Sequence, residues 1–344
     1  MRWGILILVA LWPGVSPPTV RAQAADPLEQ LKSFSEFPRV DVDRLLAGNI
    51  LAERGSLMNF PNGISVQTCF AVPTAPEETA RRLQSWDPSP HRELKVFAFR
   101  PLHNPVEPAD FDALDLKSRQ YPIRWLHDKL AATTADRSDL NLSRSEAQAL
   151  AGCLPKNDDP GKIAGCLARL LADRAAAFQA RGYNSAAPYE LSREQVAPAV
   201  QLRSMLREQQ PIAREFAGIL QASGLLGGHA ATLTPFGYWS LFDADHKGTV
   251  SLGAVYLQAL GERFQVLDTE YYVTGNYYAS ATLCEIWPIR RGETSGSLVW
   301  RGDFFAAPAL GITKGTERIA YGAIMLQDIK LEIRCQQGDL KGPR

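Results

Sequence analysis

Five stretches between residues 236 and 305 alternate apolar and polar side chains, and this period of two limits the fold more than any other feature. Phe236 to Phe242, Val250 to Leu257, Phe264 to Thr274, Tyr278 to Ile289 and Leu298 to Phe305 all read as strands. Five consecutive strands joined by short turns make an antiparallel meander, and at least one face of such a sheet must be covered. Two other parts of the chain can cover it. Residues 105–235 are rich in Ala, Leu, Arg and Glu and read as helices, and Lys314 to Arg334 reads as one long amphipathic helix with Ile319, Ala323, Leu326 and Ile333 along a stripe.

The upstream segment, residues 39–102, is mixed. A short helix at Val42 to Ala47 precedes a strand at Ile64 to Val72. Thr74-Ala75-Pro76-Glu77 reads as a capping box opening a helix through Leu83, and another strand follows at Leu94 to Phe99. Within the helical block, Ser143…Glu146 and Ser192…Gln195 are two more capping boxes. Lys162 to Arg181 carries Ile163, Leu167, Leu170, Leu171 and Phe178 at the spacing of one buried face, while Pro122, Pro198 and Pro211 are expected to kink or divide helices. The fold class expected is α+β: a curved antiparallel sheet with a long C-terminal helix and a large helical insertion that packs on itself. Residues 25–104 and 236–337 form a discontinuous sheet domain in this reading, and residues 105–235 the insertion.

The N-terminus points to export. Arg2 is followed by an apolar run from Trp3 to Trp12, then by Pro13, Gly14, Pro17 and Pro18, and Ala22-Gln23-Ala24 has the small-x-small pattern of a signal-peptidase site. Ten apolar residues are too few to span a bilayer, so the expectation is a secreted or periplasmic protein cut after Ala24. Of 344 residues, 320 would then remain, with 35 basic and 37 acidic side chains. That balance excludes the basic stripe of a nucleic-acid binder and the polybasic patch of a membrane-surface module. No later run of 18 apolar residues predicts a transmembrane segment.

In an oxidising compartment, Cys153 and Cys166 flank the polar segment LPKNDDPGKIAG and are expected to bridge two helices. Cys69, Cys284 and Cys335 are an odd remainder, so at least one is expected to be free. Neither CxxC nor any Cys/His spacing suggests a metal site, and His91, His103, His127, His229 and His246 are scattered. Asp243-Ala-Asp245-His-Lys247-Gly248 looks like the start of a calcium loop. Lys247 replaces an oxygen ligand, Ala254 replaces the closing Glu, and the flanks alternate like strands, so a hairpin turn is expected. Gly227-Gly228-His229 reads as a linker into the sheet, and Asn141-Leu142-Ser143 is a glycosylation sequon. GxSxG, SxxK, P-loop and GxGxxG motifs do not occur, no cofactor is implied, and no catalytic residue is nominated by motif.

Register supplies the sharpest functional expectation. Placing a two-residue turn at Gly275-Asn276 sets Tyr272 opposite Ala279, Glu270 opposite Ala281, Asp268 opposite Leu283 and Val266 opposite Glu285. In the next hairpin, Trp287 is set opposite Trp300, Leu283 opposite Phe304 and Ile289 opposite Leu298. One face then holds Tyr272, Trp287, Trp300 and Phe304 together with Asp268, Glu270 and Glu285, three carboxylates on an aromatic wall.

The order of strand, helix (APEETARRLQSWD), antiparallel meander and long C-terminal helix resembles the START-like, helix-grip superfamily of lipid-transfer proteins and polyketide cyclases. The resemblance covers residues 60–102 and 236–335 and rests on element order alone. It implies an apolar cavity between the sheet and the last helix and carries over no functional residue. The expected function is binding of an apolar or amphipathic, lipid-like small molecule by Asp268, Glu270, Glu285, Tyr272, Trp287, Trp300 and Phe304. The alternatives are a cyclase- or hydrolase-type enzyme using Glu285 with Asp268 or Glu270 as acid and base, and an envelope adaptor working through residues 105–230.

Overall fold

The computed structural model describes residues 26–191, 195–227, 231–313 and 315–342. The expected signal segment, Ser192 of the third capping box, Gly228 and His229 of the linker, and Lys314 lie outside them. The strands are β1 (Leu51–Arg54), β2 (Gly63–Val72), β3 (Val96–Pro101), β4 (Tyr189–Glu190), β5 (Gln195–Val196), β6 (Phe236–Ala244), β7 (Lys247–Leu260), β8 (Arg263–Val273), β9 (Ala279–Arg291) and β10 (Thr294–Ala306). The helices are α1 (Pro27–Phe34), α2 (Val42–Leu46), α3 (Pro76–Gln84), α4 (Tyr121–Ala131), α5 (Arg144–Cys153), α6 (Pro160–Arg181), α7 (Pro198–Glu208), α8 (Gln210–Glu215), α9 (Ala217–Ala222), α10 (Pro308–Ile312) and α11 (Thr316–Lys341). The fold is α+β: a curved, open, eight-stranded antiparallel sheet with a long C-terminal helix and a helical insertion.

Strand order is β1-β2-β10-β9-β8-β7-β6-β3, with β4 and β5 as a separate small ladder. Three of the meander's connections are two-residue turns: Asp245-His246, Gly261-Glu262 and Gly292-Glu293. Asp245 and His246 both have positive φ, as a type I′ turn requires, so the calcium-loop lookalike is a hairpin. The connection from β8 to β9 departs from expectation. Tyr272 and Val273 pair with Leu252 and Ser251 of β7, after a bulge that leaves Tyr271 unpaired. Pairing of β8 with β9 therefore starts only at Glu270↔Ser280. This is one residue away from the expected register, whereas β9 and β10 are slipped by two, with Leu298 opposite Trp287.

The sheet has a helical layer on each side. One face packs on α1, α4, α6, α7, α8 and α9, and its side chains share a single apolar cluster with the insertion. The insertion thus closes the sheet's face, where the sequence suggested that it packs on itself. The other face meets α3 and α11 through Val66, Phe70, Val255, Val266, Ile286, Val299 and Ile333. Pro122, Pro198 and Pro211 do not kink helices; each sits in the first turn of α4, α7 or α8, where a missing N–H costs nothing, and Pro211 marks the division of α7 from α8 at Gln209. The Ser143–Glu146 capping box is formed. The Thr74 box is not: α3 starts after Ala75 without a side-chain cap, and the Thr74 hydroxyl pairs with Thr79 at 2.7 Å. In α11, Ile333 is buried but Ile319 is half exposed and Ala323 is exposed, because the first half of the helix turns Gly322 toward Arg54 and Ile64 of the β1–β2 edge and leaves its apolar neighbours outside. No helix among the described residues is long and apolar enough to cross a membrane.

Cys153 and Cys166 form a disulfide joining α5 to α6, and Cys69, Cys284 and Cys335 are buried free thiols. The sequon is spent on structure: Asn141 is buried and its side-chain amide donates to the Tyr277 carbonyl at 2.8 Å. Closing a loop of 13 residues should stabilise the fold by about 3 kcal/mol. Urea unfolding of the Cys153→Ser/Cys166→Ser variant is expected to show a loss of that order, and an unchanged midpoint would show that the reduced chain already holds the two helices together.

Candidate functional site

The one-residue register difference separates the three carboxylates. Glu285 stays on the face of Trp287, Trp300 and Phe304, while Asp268 and Glu270 lie on the opposite face beside Cys284, Arg301 and Asp303. An acid–base pair of Glu285 with either of them therefore cannot serve one substrate.

The aromatic wall is packed solid. Phe34 of α1 meets the Trp300 ring edge-on at 4.9 Å and stacks on Trp287 at 6.4 Å, and Phe216 lies 5.5 Å from Trp300. The Trp287 indole donates to Gln30 at 3.0 Å, and Phe304 is fully buried. Glu285, with no exposed surface, accepts from Gln265 at 2.6 Å and from Arg263 at 3.0 Å. The same Arg263 nitrogen also serves Glu215 at 2.8 Å. A half-shared guanidinium does not offset the loss of water, and burial pushes the Glu285 pKa up to about 8.

On the other face, Arg301 grips Asp303 through Nε (2.9 and 3.0 Å) and Glu332 of α11 through both terminal nitrogens (2.7 and 3.1 Å). This lattice ties α11 to β10 and uses up the guanidinium donors. Asp268 accepts from the Tyr238 hydroxyl at 3.0 Å, and Glu270 accepts from Tyr277 and Ser280. Burial and the neighbouring Glu270 raise the Asp268 pKa to about 7. Tyr238 reaches Asp268 by crossing Gly253, where any Cβ would collide with its ring.

Tyr272 is the site residue that leads elsewhere. It is fully buried against the insertion, its hydroxyl has no hydrogen-bond partner among the described residues, and the Arg174 guanidinium lies 4.1 Å over its ring. Arg174 of α6 is buried and bonds Glu146 at 2.6 Å, but its Nε has no partner among the described residues. Beside it is a cavity of about 370 Å³ between α5 and α6, walled by Leu150, Leu170, Ala177, Tyr271 and the disulfide, with Arg169 at its exposed rim. Arg169 forms no ion pair among the described residues. A donor-bearing floor, apolar walls and a volume at the lower end of ligand pockets, roughly 300–1,000 Å³, make this the candidate site. The sequence did carry a signal for it, because Arg174 falls on the Ile163–Leu167–Leu170–Phe178 stripe of α6, where an apolar residue is expected.

Both raised acids set a sign for pH. Each holds its proton more tightly in the folded chain, so its contribution is fully present below about pH 4 and is lost as pH rises through about 7 for Asp268 and about 8 for Glu285. Asp268→Asn is therefore expected to gain stability relative to wild type between pH 5 and 8, read by urea midpoints; parallel curves would contradict the shift. Glu285→Gln, which mimics the protonated acid, should change stability little at pH 7, whereas Glu285→Ala should cost about 1–3 kcal/mol by removing one of the two acceptors that Arg263 and Gln265 each use, leaving both with Glu215 alone. Against known proteins, no family model, no curated sequence and no solved structure matches this chain.

Proposed function

We propose that this protein binds a small amphipathic molecule with a carboxylate head in the cavity between α5 and α6, and does so outside the cytoplasm. The observation that carries the reading is the buried Arg174 guanidinium in the wall of that cavity, whose only hydrogen-bond partner among the described residues is Glu146. A single carboxylate leaves a guanidinium with donors to spare, and a carboxylate brought by a ligand can add charge-assisted hydrogen bonds to them. The surrounding Leu150, Leu170, Ala177 and Ala186 suit a short hydrocarbon tail, and the polar lining pairs Arg169 and Arg174 with Asp173 and Glu146. Export is supported by the N-terminal pattern of charge, apolar run and small-x-small site, and by a disulfide of the kind that persists in oxidising compartments. The element order that resembles the helix-grip superfamily supports ligand holding. The site differs from the one that resemblance implies, because it lies under the insertion and on the face away from the C-terminal helix.

Isothermal titration with octanoate, octylamine and octan-1-ol tests the proposal. Octanoate is expected to bind and the other two to bind at least tenfold more weakly. The Arg174→Met/Glu146→Gln variant removes both charges of the pair together and should weaken octanoate by roughly 10–100-fold, the range for a charge-assisted hydrogen bond. Ala177→Leu should abolish binding by filling the cavity while the circular dichroism spectrum stays unchanged. Equal binding of all three probes, or octanoate binding unaffected by either variant, would overturn the assignment.

A further inference from the structure

Far from that cavity, the fold assembles a second group of side chains whose chemistry the sequence spacing hides. A ring nitrogen of His91, a carboxylate oxygen of Glu93 and the Cys335 sulfur all lie within 4.8 Å of one another. His91 and Glu93 stand at the short 3-10 turn Arg92–Leu94 that leads into β3, and Cys335 is on the last turns of α11. Cys335 is buried, His91 is half-buried and Glu93 is exposed. The Cys335 thiol donates to Glu93 at 3.4 Å.

The support around the histidine is also present. His91 Nε2 is 2.9 Å from Asp339, one turn beyond Cys335 on α11, and the Trp86 indole N–H donates to the same Asp339 oxygen at 2.8 Å. A carboxylate on one ring nitrogen fixes the tautomer and turns the other nitrogen toward a metal, the arrangement common behind metal-bound histidines. Trp86 packs against the His91 ring, centroids 5.7 Å apart, and shields one side of the group.

We propose that His91, Glu93 and Cys335 form a zinc site with three protein ligands and a fourth position open to water, with Asp339 as the outer partner of His91. Nitrogen, thiolate and carboxylate donors together suit a borderline ion that prefers four-coordination, and zinc accepts this mixture. Tetrahedral zinc places such donors roughly 3.4–3.6 Å apart. Glu93 and Cys335 already stand at that spacing, and His91, on the same short turn as Glu93, would close the remaining ångström without moving the sheet. Metal binding would also pin the end of α11 to the turn before β3, a connection otherwise made by single hydrogen bonds. The open position lies on the solvent side with Glu93.

The full chain, freed of metal with a chelator and kept under argon without added thiol so that Cys335 stays a thiol and the Cys153–Cys166 disulfide stays closed, is titrated with Zn²⁺ and separately with Co²⁺. One equivalent of zinc should bind with a dissociation constant of micromolar or tighter and raise the melting temperature. Co²⁺ should give the d–d bands of a four-coordinate site and a thiolate charge-transfer band. Cys335→Ser should remove the charge-transfer band, and Cys284→Ser should keep it. His91→Ala and the surface variant Glu93→Gln should each weaken zinc at least tenfold, and Glu93→Gln tests the site even if Cys335→Ser fails to fold. Absence of stoichiometric zinc at 10 times the protein concentration would overturn the proposal. So would zinc binding equally tight in His91→Ala and Glu93→Gln.

Discussion

The pairing of Glu270 with Ser280 across β8 and β9 is the constraint on which the distribution of buried charge depends. Side chains on a strand alternate between faces, so a single step of register exchanges every residue of β8 relative to β9. With the observed step, Asp268 and Glu270 lie on the face that also packs on α3 and α11, and Glu285 lies on the face that packs on α1 and α8. The bulge at Tyr271 causes this. By pairing Tyr272 and Val273 with β7, it withdraws them from the β8–β9 ladder and turns an expected tight hairpin into a wide connection.

Each buried charge is then handled by its own layer. Arg301 is saturated by Asp303 and Glu332 and works as a clamp between sheet and C-terminal helix. Glu285 has only part of an arginine and keeps its proton to about pH 8. Arg174 differs from both, since one of its donors is left over and a cavity stands beside it. Buried ion pairs are weak stabilisers in general, and those whose hydrogen bonds are complete need no functional reading. The incomplete one is where a ligand fits.

The two candidate sites also differ in what holds them. The cavity is framed mainly by one helical hairpin closed by a disulfide, so most of its walls are close in sequence, with Tyr271 of the sheet completing them. The His91–Glu93–Cys335 group joins the turn before β3 to the end of α11, and its geometry depends on α11 docking along β1 and β2. Loosening α11 would disperse that group and leave the cavity intact.

Read alone, the sequence determined the class of fold, the five meander strands, the Asp245-His246 hairpin, the Ser143 capping box and the Cys153–Cys166 bridge. These depend on period, turn chemistry or local spacing, all written within about twenty residues. Only the tertiary structure decided which face Asp268, Glu270 and Glu285 occupy, because a bulge three strands into the meander resets a parity that local pattern cannot count. It alone brought His91 and Glu93 to Cys335, more than 240 residues away, since nothing in spacing encodes a contact made by docking a helix on a distant turn. Arg174 lies between these cases. Its place on an apolar stripe is visible in the chain, but the cavity beside it exists only once α5, α6 and Tyr271 have packed without quite filling the space between them.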